Sequence, residues 1–152
     1  MLVGLSPLLS PDLLHLLASM GHGDEVVLVD ANFPGAATAA RGGGRLVSCL
    51  GVDAPTMLRA VLSVFPLDTA VSQPVAYMKV CDTPAGYTSA LQQSVIALLA
   101  ETGSADPAQC EAVERFAFYE RVKQAYAIVQ TGEMQPYANF TFKKGVIADS
   151  LA

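Results

Sequence analysis

The chain has 152 residues, 52% of them hydrophobic and only 15% charged, with nine basic against 14 acidic residues and a net charge of -5. The few Lys and Arg form no basic stripe, which excludes nucleic acid as a partner, and no run reaches the ~20 apolar residues of a spanning helix, which excludes a membrane. The three cysteines, Cys49, Cys81 and Cys110, are far apart and lack Cys-x-x-Cys spacing, so they read as buried free thiols rather than a disulfide framework or zinc site. This length fits one domain with its own core, and so low a charged fraction suggests outer surface covered by copies of the same chain. The N-terminal residues lack the charged and apolar regions of a secretory signal, so a cytoplasmic location is expected.

Ser10-Pro11-Asp12 supplies a cap, a helix-starting proline and an early acid, after which Leu13, Leu14, Leu17 and Met20 recur at helical spacing until Gly21. His15 falls off that stripe toward solvent. Residues 25–30 read as a buried strand and residues 45–50 as a second, separated by the triplet Gly42-Gly43-Gly44. That triplet precedes a strand and fits no phosphate-binding pattern, so it reads as a mobile turn. Asp53-Ala54-Pro55 opens a helix with Met57, Leu58, Val61, Leu62 and Phe65 on one face. A strand over residues 75–80 follows Pro74. Thr83-Pro84 then leads into a helix with the apolar face Leu91, Val95, Leu98 and Leu99, closed by a turn at residues 103–107.

Residues 110–115 are ambiguous. Phe118, Val122 and Ala125 suit a short inward-packing helix, residues 126–130 a strand, and residues 139–143 a last strand with Phe140 and Phe142 on one face. Strands separated by helices at this spacing predict an α/β fold: a three-layer sandwich, its mostly parallel sheet flanked by helices, in a single domain over residues 1–152.

His22 is the most informative residue. It sits between glycines in Met20-Gly21-His22-Gly23-Asp24, and an imidazole with an ordinary pKa near ~6.5 is suited to moving protons at neutral pH. A histidine there could equally cap the negative end of the first helix, and spacing leaves both readings open. Asp30 ends an apolar strand and enters the loop Asp30-Ala31-Asn32-Phe33-Pro34, where α/β sheets place binding groups, or where the carboxylate simply makes an Asx turn. Tyr137 and Asn139 fall on the same side of an extended segment and would present a phenol and an amide to one pocket, a pair suited to polyols. Arg115 could bind an oxygen ligand or pair with Glu111 or Glu114, Tyr119 could reach a cleft beside a core Phe118, and Asp68 is a loop cap or a second carboxylate.

These segments together resemble the small sugar mutarotases, the family comprising L-fucose mutarotase and ribose pyranase. The resemblance rests on Met20-Gly21-His22-Gly23-Asp24-Glu25, Asp30-Ala31-Asn32-Phe33-Pro34, Arg115-Phe116-Ala117-Phe118-Tyr119-Glu120-Arg121, and Thr131-Gly132-Glu133 through Tyr137-Ala138-Asn139 to Lys143-Lys144-Gly145-Val146, in the family's order. Asn-Phe-Pro and the aromatic-rich segment resemble the fucose branch; the Gly42 triplet and residues 104–110 fit less well. The resemblance implies that His22 donates a proton and that Asp30, Arg115, Tyr137 and Asn139 bind a monosaccharide. It further implies that Tyr119 and Asp68 serve the fucose branch and that Met78 lines the pocket. It also implies a ring-like homo-oligomer, with a decamer as one candidate size.

The implied reaction interconverts the anomers of a reducing sugar, most readily L-fucose. It needs proton delivery to the ring oxygen, proton removal from the anomeric hydroxyl, and no metal, nucleotide or other cofactor. General acid-base groups supply roughly 10²–10⁴-fold, enough for a reaction that already runs in water. His22 would exchange the proton, with Tyr119 or Asp68 as its counterpart or relay. Ribose pyranase activity and a non-catalytic sugar-binding module are the rival expectations. If residues 25–30 form one strand at ~3.3 Å per residue, His22 and Asp30 lie roughly 15–20 Å apart or more, which calls for a folded-back loop or a site shared between subunits.

Overall fold

The structure, a computed structural model, describes residues 1–148. In chain order its elements are α1 (Pro11–Ser19), β1 (Glu25–Val29), α2 (Gly35–Gly42), β2 (Arg45–Cys49), α3 (Ala54–Leu62), β3 (Val75–Met78), α4 (Ala90–Glu101), a 3₁₀ turn (Pro107–Gln109), β4 (Cys110–Val113), α5 (Arg115–Gln124), β5 (Ala127–Thr131) and β6 (Phe140–Lys143). The strands form one sheet in the order β2-β5-β1-β6-β3-β4. β1 and β2 pair parallel with β5, and β3 pairs parallel with β4, while β6 runs antiparallel between β1 and β3.

The sheet is sandwiched between two helical layers, as its sequence pattern requires. Successive side chains of a strand point to opposite faces. Val26 and Leu28 therefore join one core with Leu13 and Leu17 of α1, Met57 and Val61 of α3, and Val95 and Leu99 of α4. Val27 and Val29 join the other with Ala39 of α2 and Phe118 and Val122 of α5. Burial on both faces explains why β1 reads as a continuous apolar run rather than an alternating one.

Local chemistry fixes most of the expected boundaries. Ser10 accepts from the Leu13 N–H and Asp53 from the Thr56 N–H, capping α1 and α3, and both helices have proline in the first turn. In α1 the fully packed leucines are Leu13, Leu16 and Leu17, with Leu14 only half-buried.

One element was not foreseen, and two expectations are corrected. The segment after Pro34 is helical, although its alanines leave little apolar periodicity to read. The glycine triplet is not a mobile turn but the end of that helix: Gly43, at φ +69°, donates its N–H to the Ala39 carbonyl. The fourth helix begins not at Thr83-Pro84 but behind Ser89, whose hydroxyl accepts from the Gln92 N–H while the Gln92 side chain accepts from the Ser89 N–H. Residues 83–87 instead turn back, with the Thr83 hydroxyl donating to the Val80 carbonyl and Lys79 Nζ donating to Thr83 O.

The ambiguous segment from Cys110 becomes the edge strand β4. The cysteines are free but half-buried rather than fully buried, and burial pushes the Cys110 thiol up to about 11. Among the described residues no helix is long and apolar enough to cross a membrane.

Phe118 is completely buried between α5 and the sheet. Phe118→Ala should lower the unfolding free energy by about 3–5 kcal/mol, the usual cost of an aromatic-sized hole. Urea unfolding should show this as a lower midpoint at an unchanged slope.

Candidate active site

A cavity of about 210 Å³ opens at the carboxyl ends of β1 and β3, lined by Asp30, Asn32, Phe33, Met78, Arg115, Tyr119, Pro136, Tyr137 and Asn139. This lies below the ~300–1,000 Å³ of pockets for drug-sized ligands, the scale of one small polar ring. The topology dictates the location. Asp30 follows β1, Met78 ends β3, Arg115 follows the parallel strand β4, and Asn139 immediately precedes the antiparallel β6. All four therefore reach the same end of the sheet, where open α/β sheets hold their ligands.

Asp30 is the centre of this cavity. Its Oδ1 accepts from the Asn32 N–H at 2.9 Å, the Asx turn that its position in the chain allowed. Its Oδ2 accepts from Asn139 Nδ2 at 3.1 Å, while Asn139 Oδ1 accepts from the Asp30 N–H at 2.9 Å. Turn and binding roles are thus compatible, because each carboxylate oxygen keeps a second acceptor site. Burial pushes the Asp30 carboxyl above its ordinary value, against the pull of the Asn32 and Asn139 donors.

On the facing wall, Tyr119 packs against Phe33 with ring centroids 5.4 Å apart, and Arg115 Nε donates to the Tyr119 hydroxyl at 3.4 Å. The suggested partners of Arg115 are engaged elsewhere. Glu114 accepts from the Phe116 and Ala117 N–H groups to cap α5, and Glu111 pairs with Arg121 at 2.9 Å. Among the described residues Arg115 has no ion-pair partner, which leaves its guanidinium available to an oxygen ligand.

Tyr137 and Asn139 both line the cavity, but strand alternation is not the reason. Tyr137 lies outside β6 at φ +64°, a left-handed conformation costing a non-glycine residue about 1–3 kcal/mol. The bend, not the pleat, brings its ring beside the Asn139 amide. A hydrogen bond with Cys81 raises the pKa of the Tyr137 phenol.

His22 and Asp68 lie at the opposite end of the sheet. The His22 loop precedes β1 and is tied by the Gly23 N–H, which donates to the Lys144 carbonyl just past β6. Asp68 is fixed on the same edge by its own N–H, which donates to Lys143 O. His22 Nε2 stands 3.2 Å from Asp68 Oδ2, with the imidazole 52% exposed and the carboxylate only 6% exposed. The helix-capping alternative for His22 is filled by Lys144, whose Nζ donates to the carbonyls of Leu17 and Met20 at 2.7 Å each. The two suggested partners of the histidine are therefore separated: Asp68 is beside His22, and Tyr119 is in the cavity.

Residues 3–147 match the RbsD / FucU transport protein family. The chain belongs to this family. It is 43% identical to the fucose mutarotase of Bos taurus over 149 residues, 97% of this chain and 95% of that protein. It is 42% identical to the L-fucose mutarotase of Glaesserella parasuis over 146 residues, 96% of each. The structure of the Streptococcus pneumoniae fucose mutarotase in complex with L-fucose superposes with a TM-score of 0.85 at 39% identity, covering 97% of this chain and all of that one.

Within this RbsD/FucU chain, several pocket residues carried no assigned role in the sequence. Phe33 was visible only as part of Asn-Phe-Pro, and Asn32 and Pro136 only as loop residues. Gln92 and Gln130, which lie behind the cavity, had a faint signal: each is a polar residue that shares a buried stretch with apolar side chains, Val95 and Leu99 for Gln92 and Ile128 and Val129 for Gln130. Lys144 had none, because its role depends on a carbonyl cluster more than 100 residues away in the chain.

The two carboxylates of this RbsD/FucU chain are shifted in opposite directions. The Ala70 N–H, above all, and then His22 hold the Asp68 carboxyl below its ordinary value of 3.8. A lowered folded pKa contributes stability above the unfolded value that is lost as pH falls through the folded one. The melting temperature of the wild type should therefore fall more steeply below about pH 4 than that of Asp68→Asn, which has no such carboxylate to protonate. Thermal melts between about pH 6 and pH 3 test this, and parallel curves would rule it out.

Proposed function

We propose that this protein is a sugar mutarotase that interconverts the anomers of L-fucose by acid-base ring opening and closure, in one domain spanning residues 1–152. The observation that carries this reading is the cavity at Asp30. It pairs the Asp30 carboxylate with a guanidinium that has no ion-pair partner among the described residues and with an aromatic wall, on a scale that suits one neutral monosaccharide. Relatives named for this activity across nearly the whole chain support it.

In the proposed reaction His22 gives a proton to the ring oxygen as the C1–O5 bond breaks, and a base takes the proton of the anomeric hydroxyl, leaving a carbonyl at C1. Rotation about C1–C2 exposes the other face, and as O5 attacks the carbonyl and the ring closes, His22 takes the proton back from O5 while the base returns its proton to O1. Asp68 acts as the relay that orients the imidazole. Tyr119 is the counterpart on the cavity side, Asp30, Arg115, Tyr137 and Asn139 hold the hydroxyls, Met78 completes the wall, and no cofactor takes part. Asn139 works largely through Asp30, since its amide is already engaged with that residue and lies 4.0 Å from Met78 Sδ.

His22 and Asp30 flank the five residues of β1, so a single sugar cannot readily touch both. We infer a cytoplasmic homo-oligomer, a decameric ring being one form, in which the His22 end of one copy completes the Asp30 pocket of the next. The exposed rings and aliphatic side chains of Phe116, Leu50 and Met134, with the low charge of the chain, supply apolar surface for such contacts. Phe116 lies under the Arg115 guanidinium at the cavity rim.

His22→Ala should abolish the acceleration of L-fucose anomer exchange in magnetisation-transfer NMR at an unchanged melting temperature; D-ribose in parallel reads the sugar preference. Exchange as fast as in the wild type would remove His22 from the mechanism. The shared site has its own test. Unfolded together and refolded as a 1:1 mixture, His22→Ala and Asp30→Asn should recover about a quarter of wild-type activity, because about one junction in four joins two intact contributions. A mixture as inactive as its parents would place the whole site within one chain.

A further inference from the structure

Two buried glutamines lie behind opposite walls of the cavity, and neither faces it. Gln92, on the first turn of α4, is fully buried. Its Oε1 accepts from the Ser89 N–H at 3.1 Å, and its Nε2 donates to Met78 O at 2.8 Å and to Tyr137 O at 3.0 Å. Gln130, in β5, is also buried, and its Nε2 donates to Asp30 O and Phe33 O, both at 2.9 Å. All four carbonyls belong to residues that line the cavity.

Each carbonyl also lies where the chain is leaving, or has left, its strand. Met78 ends β3, Asp30 follows β1, Phe33 is in the loop beyond it, and Tyr137 is in the left-handed region before β6. Of these residues ladder pairing reaches only Met78, and only short turn bonds from the Phe33 and Gly35 N–H groups reach Asp30 O and Phe33 O, so the side-chain amides add the long-range hold. A primary amide suits the task because it carries two donors diverging from one nitrogen. A hydroxyl could reach one carbonyl, and an ammonium would bring a charge into the core. Space is reserved for one of them: a Cβ at position 35 would stand 2.3 Å from Gln130 Oε1, and the chain has glycine there.

We propose that Gln92 and Gln130 are positioning residues for the sugar, each clipping two carbonyls so that both walls of the pocket are set before a ligand arrives. Gln92 fixes the Met78 and Tyr137 wall, and Gln130 fixes the Asp30 and Phe33 wall. This rests on the reading of the cavity as the sugar site. The geometric part stands independently of it.

Helix capping and clipping by Gln92 are separable. Gln92→Glu keeps an oxygen for the Ser89 N–H but breaks the double clip, since a buried carboxyl has at most one O–H donor for two carbonyls, whereas Ser89→Ala weakens the cap and leaves the two amide donors in place. With ¹³C-methyl-methionine labelling of the full-length protein, the Met78 methyl resonance should move in Gln92→Glu and stay in Ser89→Ala. The half-saturating L-fucose concentration should rise about tenfold or more in Gln92→Glu and in Gln130→Glu, with the rate at saturation changed much less. Ser89→Ala should lose only melting temperature. Should the buried carboxylate prevent folding, Gln92→Met removes the donors without a charge and should give the same two shifts.

An unmoved Met78 resonance together with wild-type fucose affinity in the Gln92 variants would overturn the proposal. If the wild type itself neither binds nor converts L-fucose, it is the function that fails. The Met78 resonance then decides the clip alone: moved in the Gln92 variants but not in Ser89→Ala, it stands; unmoved, it falls.

Discussion

The central strand β1 sets the terms for everything else in this protein. It is hydrogen-bonded on one side to β5 in parallel and on the other to β6 antiparallel, and four of its five side chains are buried. A strand held from both edges and packed on both faces cannot shorten or bend to bring its ends together. The groups attached at those ends, the His22 loop before it and Asp30 after it, are therefore kept apart by the same packing that stabilises the fold. The groups proposed for proton transfer and for hydroxyl binding therefore flank one rigid element and cannot readily meet across one sugar within the chain. Under the proposed mechanism, association of copies is a condition of activity, and the apolar surface serves it.

The ends of the sheet also give two aspartates opposite characters. Asp30 lies among half-polar walls where desolvation dominates, so its carboxyl sits above its ordinary value despite the donors of Asn32, Asn139, Phe33 and Ala138. Asp68 meets the Ala70 N–H and the His22 imidazole, so its ionised form is favoured. Environments that push like groups apart are how one fold assigns them different tasks. An ionised Asp68 can hold an imidazole in orientation and stabilise its charged form, while Asp30, anchored by the Asn32 N–H and the Asn139 amide, presents its oxygens to neutral hydroxyls.

What the sequence disclosed divides along the same lines. Elements signalled by local chemistry were legible: the Ser10-Pro11 and Asp53-Pro55 helix starts, the apolar run of β1, and the alternation of Phe140 and Phe142. α2 was hidden because alanines pack against the sheet without a periodic stripe. α4 started late because a capping box at Ser89 and Gln92 outweighs an upstream proline. The cavity residues Asp30, Arg115, Tyr119, Tyr137, Asn139 and Met78 were identified mostly through resemblance, since a Tyr or Asn before a strand says little by itself. The expectation that period-two alternation joins Tyr137 to Asn139 reached a correct neighbourhood by the wrong geometry. Long-range hydrogen bonds, such as those of Lys144, Gln92 and Gln130, have no local signature other than polarity where the pattern calls for an apolar residue.

That polarity has a physical rationale in the kind of ligand the pocket suits. A site for a neutral polyol must present several fixed donors and acceptors, and every loop that provides them leaves backbone groups to be satisfied. Charged residues could satisfy those groups, but each would impose a large desolvation cost and a field that a neutral sugar cannot answer. Here the supporting groups are neutral: the amides of Gln92, Gln130 and Asn139, and the Thr131 hydroxyl, which donates to the Val29 carbonyl at 2.8 Å. The charged groups lining the cavity are Asp30 and Arg115, one acceptor and one donor. Neutral supports outside and one charge of each sign inside give directional recognition of hydroxyls without selecting for an ionic ligand, which is the balance a small reducing sugar requires.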